Sequence, residues 1–388
     1  MSVNSMNFEQ AATLLNAVRQ QITGESTIAP TSTEDFISVA SVTLAQGYDP
    51  VLNAISQVVG RTIFSIRPYS AKFRGIMMDS QKWGAITRKL AISDKPLQDN
   101  EAFNLVDGQS VDMYQVNKAN VVQFNYYGAD TFTKSFTVYR DQLDNAFRGP
   151  EEFGSFMTMV IQNAMDMIEQ AKETMARLAL DNFIAGKIDA ANGVIHLLTE
   201  YNAEVGGSYT ATTIKDPANF PAFIKWVYAR IATLTNLMTE RSDLYQIQVT
   251  GHELTRHTPF ERQRVYLLNW LMNNIDARVL ADTYNYKFLE LADVEAVNYW
   301  QAIDTPDQIS ITPTVLQTDG TLDSGSAVTQ SNVMGVIFDE EAIGITTMNE
   351  FAGVTPLNPR GEYANYFYNF VIRYMNDFSE KGLVLLLD

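Results

Sequence analysis

The sequence predicts an α+β fold, and three observations carry that prediction. One amphipathic stretch runs unbroken from Pro150 to about Ala185, short β-prone stretches lie on both sides of it, and capped helical patterns alternate with them. In the long stretch, apolar side chains recur at Phe153, Met157, Val160, Ala164, Ile168, Ala171, Met175 and Leu178, in steps of three and four that hold one stripe on a helix. Pro150 suits the first turn, Glu151 and Glu152 favour the positive end of the helix dipole, and Gly186 is placed to end the helix. Such a helix is about 54 Å long, whereas a compact chain of 388 residues has a diameter of about 55 Å. It is expected to cross the whole molecule as a spar, with a bent helix or a helical bundle as the alternatives.

The elements follow in order. Asn7 with Gln10 forms a capping box ahead of Phe8, Ala11, Leu15, Val18 and Ile22, and Gly24 closes that helix. Thr23 to Asp35, rich in Ser, Thr and Gly, reads as a flexible arm. A second helix is expected with Asp49 as N-cap, Pro50 in its first turn and Gly60 beyond its end. Thr62 to Ile66, Val121 to Tyr127 and Phe132 to Tyr139 read as strands. Between them, Lys72 to Val116 has too little apolar alternation for a core of its own and is expected to protrude.

After the long helix and a loop at Gly206 and Gly207, a helix near Asp216 carries Phe223, Val227, Ile231, Leu234 and Met238. Thr258, Pro259, Phe260 and Glu261 read as a capping box opening another helix through Leu268, Leu271, Ile275 and Val279. Strands are expected at Tyr245 to Thr250, Tyr286 to Leu291, Gln308 to Val315 and Val333 to Asp339, with an exposed loop from Gln317 to Asn332. Asn358-Pro359-Arg360-Gly361 matches a tight turn. Beyond it, Tyr366, Tyr368, Phe370, Ile372 and Tyr374 define one aromatic face of a long strand, and Leu383 to Leu387 a final strand.

Composition bounds the chemistry. With 46% hydrophobic and 19% charged residues the chain is that of a folded soluble protein, with room for two or three domains. The absence of cysteine excludes disulfides, thiol catalysis and cysteine-based zinc sites. Met1 to Gln10 has no signal-peptide character and no run of about 18 apolar residues occurs, so an unsecreted protein with no membrane partner is expected. A formal charge of −17 argues against tight nonspecific DNA binding. The charge is uneven: residues 61–100 hold 8 Lys and Arg against 3 Asp and Glu, a net of +5, and the rest 20 against 42, a net of −22. The basic segment is either a solvated or nucleic-acid loop or a flap that docks on an acidic neighbour.

Catalytic signals are weak. His252 and His257 with Glu253 approximate a zinc-protease helix, but histidines five positions apart stand about 140° from one another, off a common face. A metal-dependent hydrolase centred on them is the one enzymatic alternative. His196 reads as a core or interface residue, Asp339-Glu340-Glu341 as a turn between strands, and Met157, Met159, Met165, Met167 and Met175 as core filling. No G-x-S-x-G, G-x-G-x-x-G or phosphate loop is present, so neither enzymatic activity nor a cofactor is expected. Lys82, Trp83, Arg88 and Lys89 combine basic and aromatic character, which the global acidity directs toward a protein partner.

This order of parts resembles the major capsid protein of tailed bacteriophages with the HK-97-type fold, and within it the phi-29-like podovirus branch. The resemblance is carried by Asp49-Pro50-Val51-Leu52 through Val59-Gly60-Arg61-Thr62 into Lys72-Phe73-Arg74-Gly75, and by Asn358-Pro359-Arg360-Gly361-Glu362-Tyr363 with Asn365-Tyr366-Phe367-Tyr368. It implies an N-terminal arm over residues 1–48, a helix and strand over 49–70, and an extended β-hairpin loop over 71–134 lying on the adjacent subunit. A peripheral domain would follow over 135–222 with its spine helix, then an axial domain over 223–335, and return strands over 336–388. No room is left for an appended immunoglobulin-like decoration domain of the phi-29 kind.

The implied role is structural: hexamers and pentamers of an icosahedral shell around double-stranded DNA, the DNA a weak nonspecific neighbour. Scaffolding, portal and decoration proteins are the further partners, assembly takes place in the host cytoplasm, and an encapsulin-like compartment is the alternative in the same architecture. Lys72, Arg74, Lys82, Trp83, Arg88, Lys89 and Lys95 are the expected inter-subunit contacts. Some relatives crosslink a loop lysine to a neighbour's asparagine, a role for which Lys82, Lys89 or Lys95 would serve.

Overall fold

The computed structural model describes residues 7–24, 30–65, 73–78, 87–93, 103, 106–114, 116, 120–126, 129–252, 254–277, 293–317 and 319–388. Helix α1 (Phe8–Thr23) opens on the expected capping box: the Asn7 side chain accepts from the Gln10 amide, and the Gln10 side chain accepts from the Asn7 amide. Gly24 closes it at φ 72°. Helix α2 (Thr33–Leu44) takes up part of the supposed arm. Ser32 caps it by accepting from Asp35, and it buries Phe36 and Ala40, an apolar face too short to stand out as periodicity.

Helix α3 (Tyr48–Ser65) begins a residue before Asp49 and runs through Gly60 over the first residues of the expected strand. Asp49 instead accepts from the Leu357 amide. A single glycine costs a helix about 1 kcal/mol, less than is needed to stop one already propagating. Strands β1 (Thr87–Ser93) and β2 (Asn120–Tyr126) pair antiparallel from Thr87↔Tyr126 to Ser93↔Asn120 and form the stem of the excursion. Strand β3 (Asp130–Tyr139) and helix α4 (Arg140–Ala146) lead into helix α5 (Pro150–Asp189).

Helix α5 runs 40 residues, about 60 Å, and continues past the glycine expected to end it. Gly186 sits inside the helix because Phe378 crosses there: a Cβ would lie 2.5 Å from its ring. Phe153, Met157, Val160, Ile168 and Met175 are buried as expected, whereas Met159 and Met167 face outward and so are not core.

Next come β4 (Val194–His196), α6 (Leu197–Val205), α7 (Phe220–Thr239), β5 (Gln263–Leu268), α8 (Asn269–Ile275) and β6 (Asp293–Val297). The capping box at Thr258 therefore opens no helix; it leads through a 3-10 turn, Phe260–Arg262, into β5. Val265 and Leu267 are fully buried there between two strands, and that burial overrides local preference. Tyr245 to Thr250 is bent rather than a strand, while Tyr286 to Leu291 and Val279 lie outside the described residues.

The expected strand from Gln308 is split at Pro313, which lacks an amide hydrogen, into β7 (Ile309–Ile311) and β8 (Thr314–Leu316). The loop after it folds back as β9 (Leu322–Ser324) on β8 and β10 (Val328–Gln330) on β7. The chain closes with β11 (Val333–Asp339), β12 (Ile343–Val354), β13 (Tyr363–Asn376) and β14 (Gly382–Leu386).

Two sheets organise the core. One has the order β4-β14-β11-β5-β6, antiparallel at its centre and parallel at both rims. Strands β11 and β14 are buried throughout, which is why they read as unbroken apolar runs. Helix α5 packs on this sheet, with Phe183 stacked on Phe378 at 5.3 Å. The other sheet, β12-β13-β3, buries Tyr366, Tyr368, Phe370 and Ile372 on the expected aromatic face, with Phe136 stacked on Tyr366 at 5.0 Å. The Asn358 turn is present: its side chain accepts from the Arg360 amide, and its carbonyl from Glu362.

Candidate assembly surface

The excursion is held to the body at two places. At its root, Phe73 is buried with φ 80°, a conformation a bulky residue adopts only where surroundings enforce it. The enforcement is visible: its amide donates to Glu295 on β6, its ring meets Tyr266 of β5 edge-on at 5.7 Å, and the Arg177 guanidinium of α5 lies 5.1 Å from its centroid. Gly75 next to it has no space for a side chain, since a Cβ would come within 2.8 Å of Arg264. Burial, with Glu295 adding to it, pushes the Tyr266 phenol up.

The second place is the stem. Strand alternation puts Lys89, Ala91, Phe124 and Tyr126 on the inner face of the β1–β2 ribbon. Lys89 Nζ reaches Glu380 at 2.6 Å, Asp377 at 2.8 Å and Glu341 at 3.1 Å. Burial opposes the lysine's charge, but Asp377 and Glu380 outweigh it and hold the ammonium above its usual range. Asp377 is itself 1% exposed; burial raises its pKa, yet Lys89, Ser379 and the Ser379 amide hold it below the ordinary value. Burial keeps Glu380 above its ordinary value, with Arg256 3.4 Å away. Burial first, then Asp377, pushes the Tyr126 phenol up. From β13, Arg373 donates to Thr87 at 3.2 Å. The acidic run at Asp339 is the expected turn, and Arg262 ties Glu340 and Glu341 to the 3-10 turn before β5.

The outer face of the ribbon meets none of the described residues of the body. Arg88, Leu90, Ile92 and Val121 point away from the body, Leu90 and Ile92 being 68% and 67% exposed. Toward the tip, Phe103, Val106, Met113, Tyr114 and Val116 are exposed as well. Apolar groups left in water and gathered on one face of a ribbon mark a docking surface. Basic residues single out this segment in the sequence. Its apolar face escapes that reading, although the alternation of Leu90 and Ile92 with Lys89 and Ala91 carries the signal.

Of the expected contact residues, Lys72, Lys82, Trp83 and Lys95 lie outside the described residues, and Arg74 starts a 3-10 turn at the root. Arg88 is exposed. Lys89 is engaged within its own chain, where three carboxylates converge on it. Of the two readings of His196, core is overturned and interface is not: it is half exposed and pairs with Asp388 at 2.6 Å. His252 sits in a turn bridged by Val249↔His252 and Ser242↔Arg256, so it and His257 share no helical face. Among the described residues no helix is long and apolar enough to cross a membrane.

Comparison with known proteins bears on this surface. The family profile of Phi29-like phage major capsid proteins matches residues 15–377. No curated protein sequence matches the chain. Among solved structures, a chain of the capsid structure of Staphylococcus phage Andhra is similar over 83% of this chain and 88% of its own, with a TM-score of 0.53 at 9% identity. A chain from the structure of head fiber and inner core protein gp22 of native bacteriophage P68 is similar over 81% and 84%, with a TM-score of 0.55 at 9% identity. At that identity the likeness is one of fold.

Proposed function

Because this chain belongs to the family of Phi29-like phage major capsid proteins, we propose that its excursion is the element by which one subunit grips the next in the shell. The chain is a major capsid protein of a tailed phage with the HK-97-type fold, a structural protein of the virion shell. The observation that carries the proposal is the two-sided ribbon: its inner face is locked to its own body through Lys89, and its outer face presents Leu90, Ile92 and Val121 to solvent. Burying such a face on a neighbour supplies the hydrophobic term of association, while Arg88 beside it matches the acidic remainder of the chain.

On this reading the subunits form hexamers and pentamers. Residues 71–134 act as the extended loop, 135–222 and 336–388 as the peripheral domain, 223–335 as the axial domain, and 1–48 as the N-terminal segment. Assembly takes place in the host cytoplasm, with scaffolding, portal and decoration proteins as partners. The net charge of −17 keeps the inner wall from gripping packaged double-stranded DNA. Of the three candidate crosslinking lysines, Lys89 is engaged by Asp377, Glu380 and Glu341 of its own chain, which favours Lys82 or Lys95 for that role.

The test is the double variant Leu90→Asp, Ile92→Asp. It is expected to fold with unchanged thermal stability and to yield no shells by negative-stain microscopy and sedimentation. Normal shells from that variant would refute the grip.

A further inference from the structure

Strand β3 forms one rim of the β12-β13-β3 sheet, and the phase of its backbone can be read from one bond. The Arg140 amide donates to the Glu362 carbonyl, in the same register as Tyr139↔Tyr363. In an antiparallel ladder, bonded and non-bonded pairs alternate. Even-numbered residues of β3 therefore direct their amides and carbonyls at β13, and Thr131, Thr133, Ser135 and Thr137 direct theirs away from the sheet. The Thr355 amide, which donates to the Asn365 carbonyl on the far side of β13, independently gives the same phase. Tyr139 is accounted for by the Gln142 side chain, which accepts from its amide. For the other four, no described residue meets the outward groups.

An edge of this length is normally blunted. The opposite rim is partly closed, because the Met78 amide donates to Ile345 of β12. Strand β3 has no proline, no bulge against β13, and only Thr and Ser side chains on its exposed face between 131 and 137. Its one charge within that span, Lys134, lies on the face with Phe132 and Phe136, so it constrains the partner strand without closing the edge.

We propose that the β3 edge pairs antiparallel with the β3 edge of a second copy of this chain, about a two-fold axis at Ser135. The proposal rests on the reading that the chain assembles with itself, and the occupant follows from self-complementarity. Centred on Ser135, the pairing sets Thr133 against Thr137, Lys134 against the Phe136 ring, Phe132 against Val138, and Asp130 against Arg140. The outward amides of Thr133, Ser135 and Thr137 then each meet an outward carbonyl, while Thr131 falls opposite Tyr139, the N-cap of α4. Centring one residue earlier opposes Lys134 to Lys134, which is unfavourable. An isologous contact of this kind closes by symmetry, and a continuous sheet would span the two subunits.

The chain has no cysteine, so a Ser135→Cys variant tests the axis directly. Oxidation of that variant after assembly is expected to give a covalent dimer, linked by one disulfide between the two substituted positions and identified by mass spectrometry. The Ser135 side chain makes no hydrogen bond among the described residues, so Ser135→Pro removes one outward amide and little else. That variant is expected to keep the melting temperature of the monomer and to lose at least tenfold in shell yield, while Ser135→Ala matches the native chain. Amide hydrogens of Thr133, Ser135 and Thr137 are expected to exchange slowly in shells and quickly in dilute monomer. Shells at native yield from Ser135→Pro, or equal exchange in both states, would overturn the inference. If the native chain forms no shells, the shell reading fails instead; the edge is then decided by oxidation of Ser135→Cys at millimolar concentration, where absence of the dimer overturns it.

Discussion

Lys89 Nζ lies 2.8 Å from Oδ2 of Asp377, and the two residues are 288 positions apart in the chain. The pair fastens the stem of the excursion to the turn between β13 and β14. Removing one partner of a buried pair leaves the other charged and unsolvated, at a cost of about 3–5 kcal/mol. Lys89→Met is therefore expected to lower unfolding free energy by about 3 kcal/mol, and the double variant with Asp377→Asn to recover a good part of it. Urea denaturation followed by tryptophan fluorescence measures both. A Lys89→Met loss below about 0.5 kcal/mol, the range of ordinary surface substitutions, would mean the node holds nothing.

Helix α5 carries two buried titrating groups with opposite pH windows. Burial pushes Asp181 up to about 7, against the pull of Arg177. Its contribution is full below the unfolded value of 3.8 and is lost as pH rises toward 7. Burial pulls Lys187 down to about 7, against Asp377. Its contribution is present above the unfolded value of 10.5 and is lost as pH falls toward 7. Asp181→Asn should flatten the stability profile between pH 4 and 7 by about 4 kcal/mol, and Lys187→Met between pH 7 and 10 by about 5 kcal/mol. Denaturation midpoints of the two variants across pH decide it; slopes equal to the native chain in both windows would contradict these assignments.

Gly186→Ala is expected to destabilise, although alanine is the better helix former by about 1 kcal/mol. The new methyl would meet the Phe378 ring, which is buried and stacked on Phe183. Overpacking of this kind costs about 1–3 kcal/mol and should outweigh the propensity gain. A drop in melting temperature of several degrees is the expected outcome, and an increase would show that the ring moves freely.

Asn7→Ala removes one half of the α1 capping box, the Asn7 side-chain oxygen that accepts from the Gln10 amide, and keeps the backbone amide that donates to the Gln10 side chain. The expected loss is about 1 kcal/mol. Amide exchange across Phe8 to Ala12 should rise while that of α5 stays unchanged.

What was legible in the residues was what depends on neighbours in sequence. The cap at Asn7, the start of α5 at Pro150, the turn at Asn358 and the alternating face of β13 each rest on contacts within a few residues, so their residue types declare them. The order of these parts was also enough to point to the capsid family, which the profile match over residues 15–377 then showed.

Sequence could not say where those parts meet. Gly186 read as a helix terminator, and Phe378, 192 residues later, makes it a point of close approach. Thr258 to Glu261 read as a helix start, and burial between β11 and β6 turned Gln263–Leu268 into a strand. Lys89 read as a surface charge for a neighbour, and Asp377 and Glu380 took it into the subunit. By itself, then, the sequence determined the class of fold, the spine helix and the basic excursion, because periodicity and caps are local. Only the tertiary structure decided which face of that excursion is spent and which is free, because that depends on carboxylates brought from the far end of the chain.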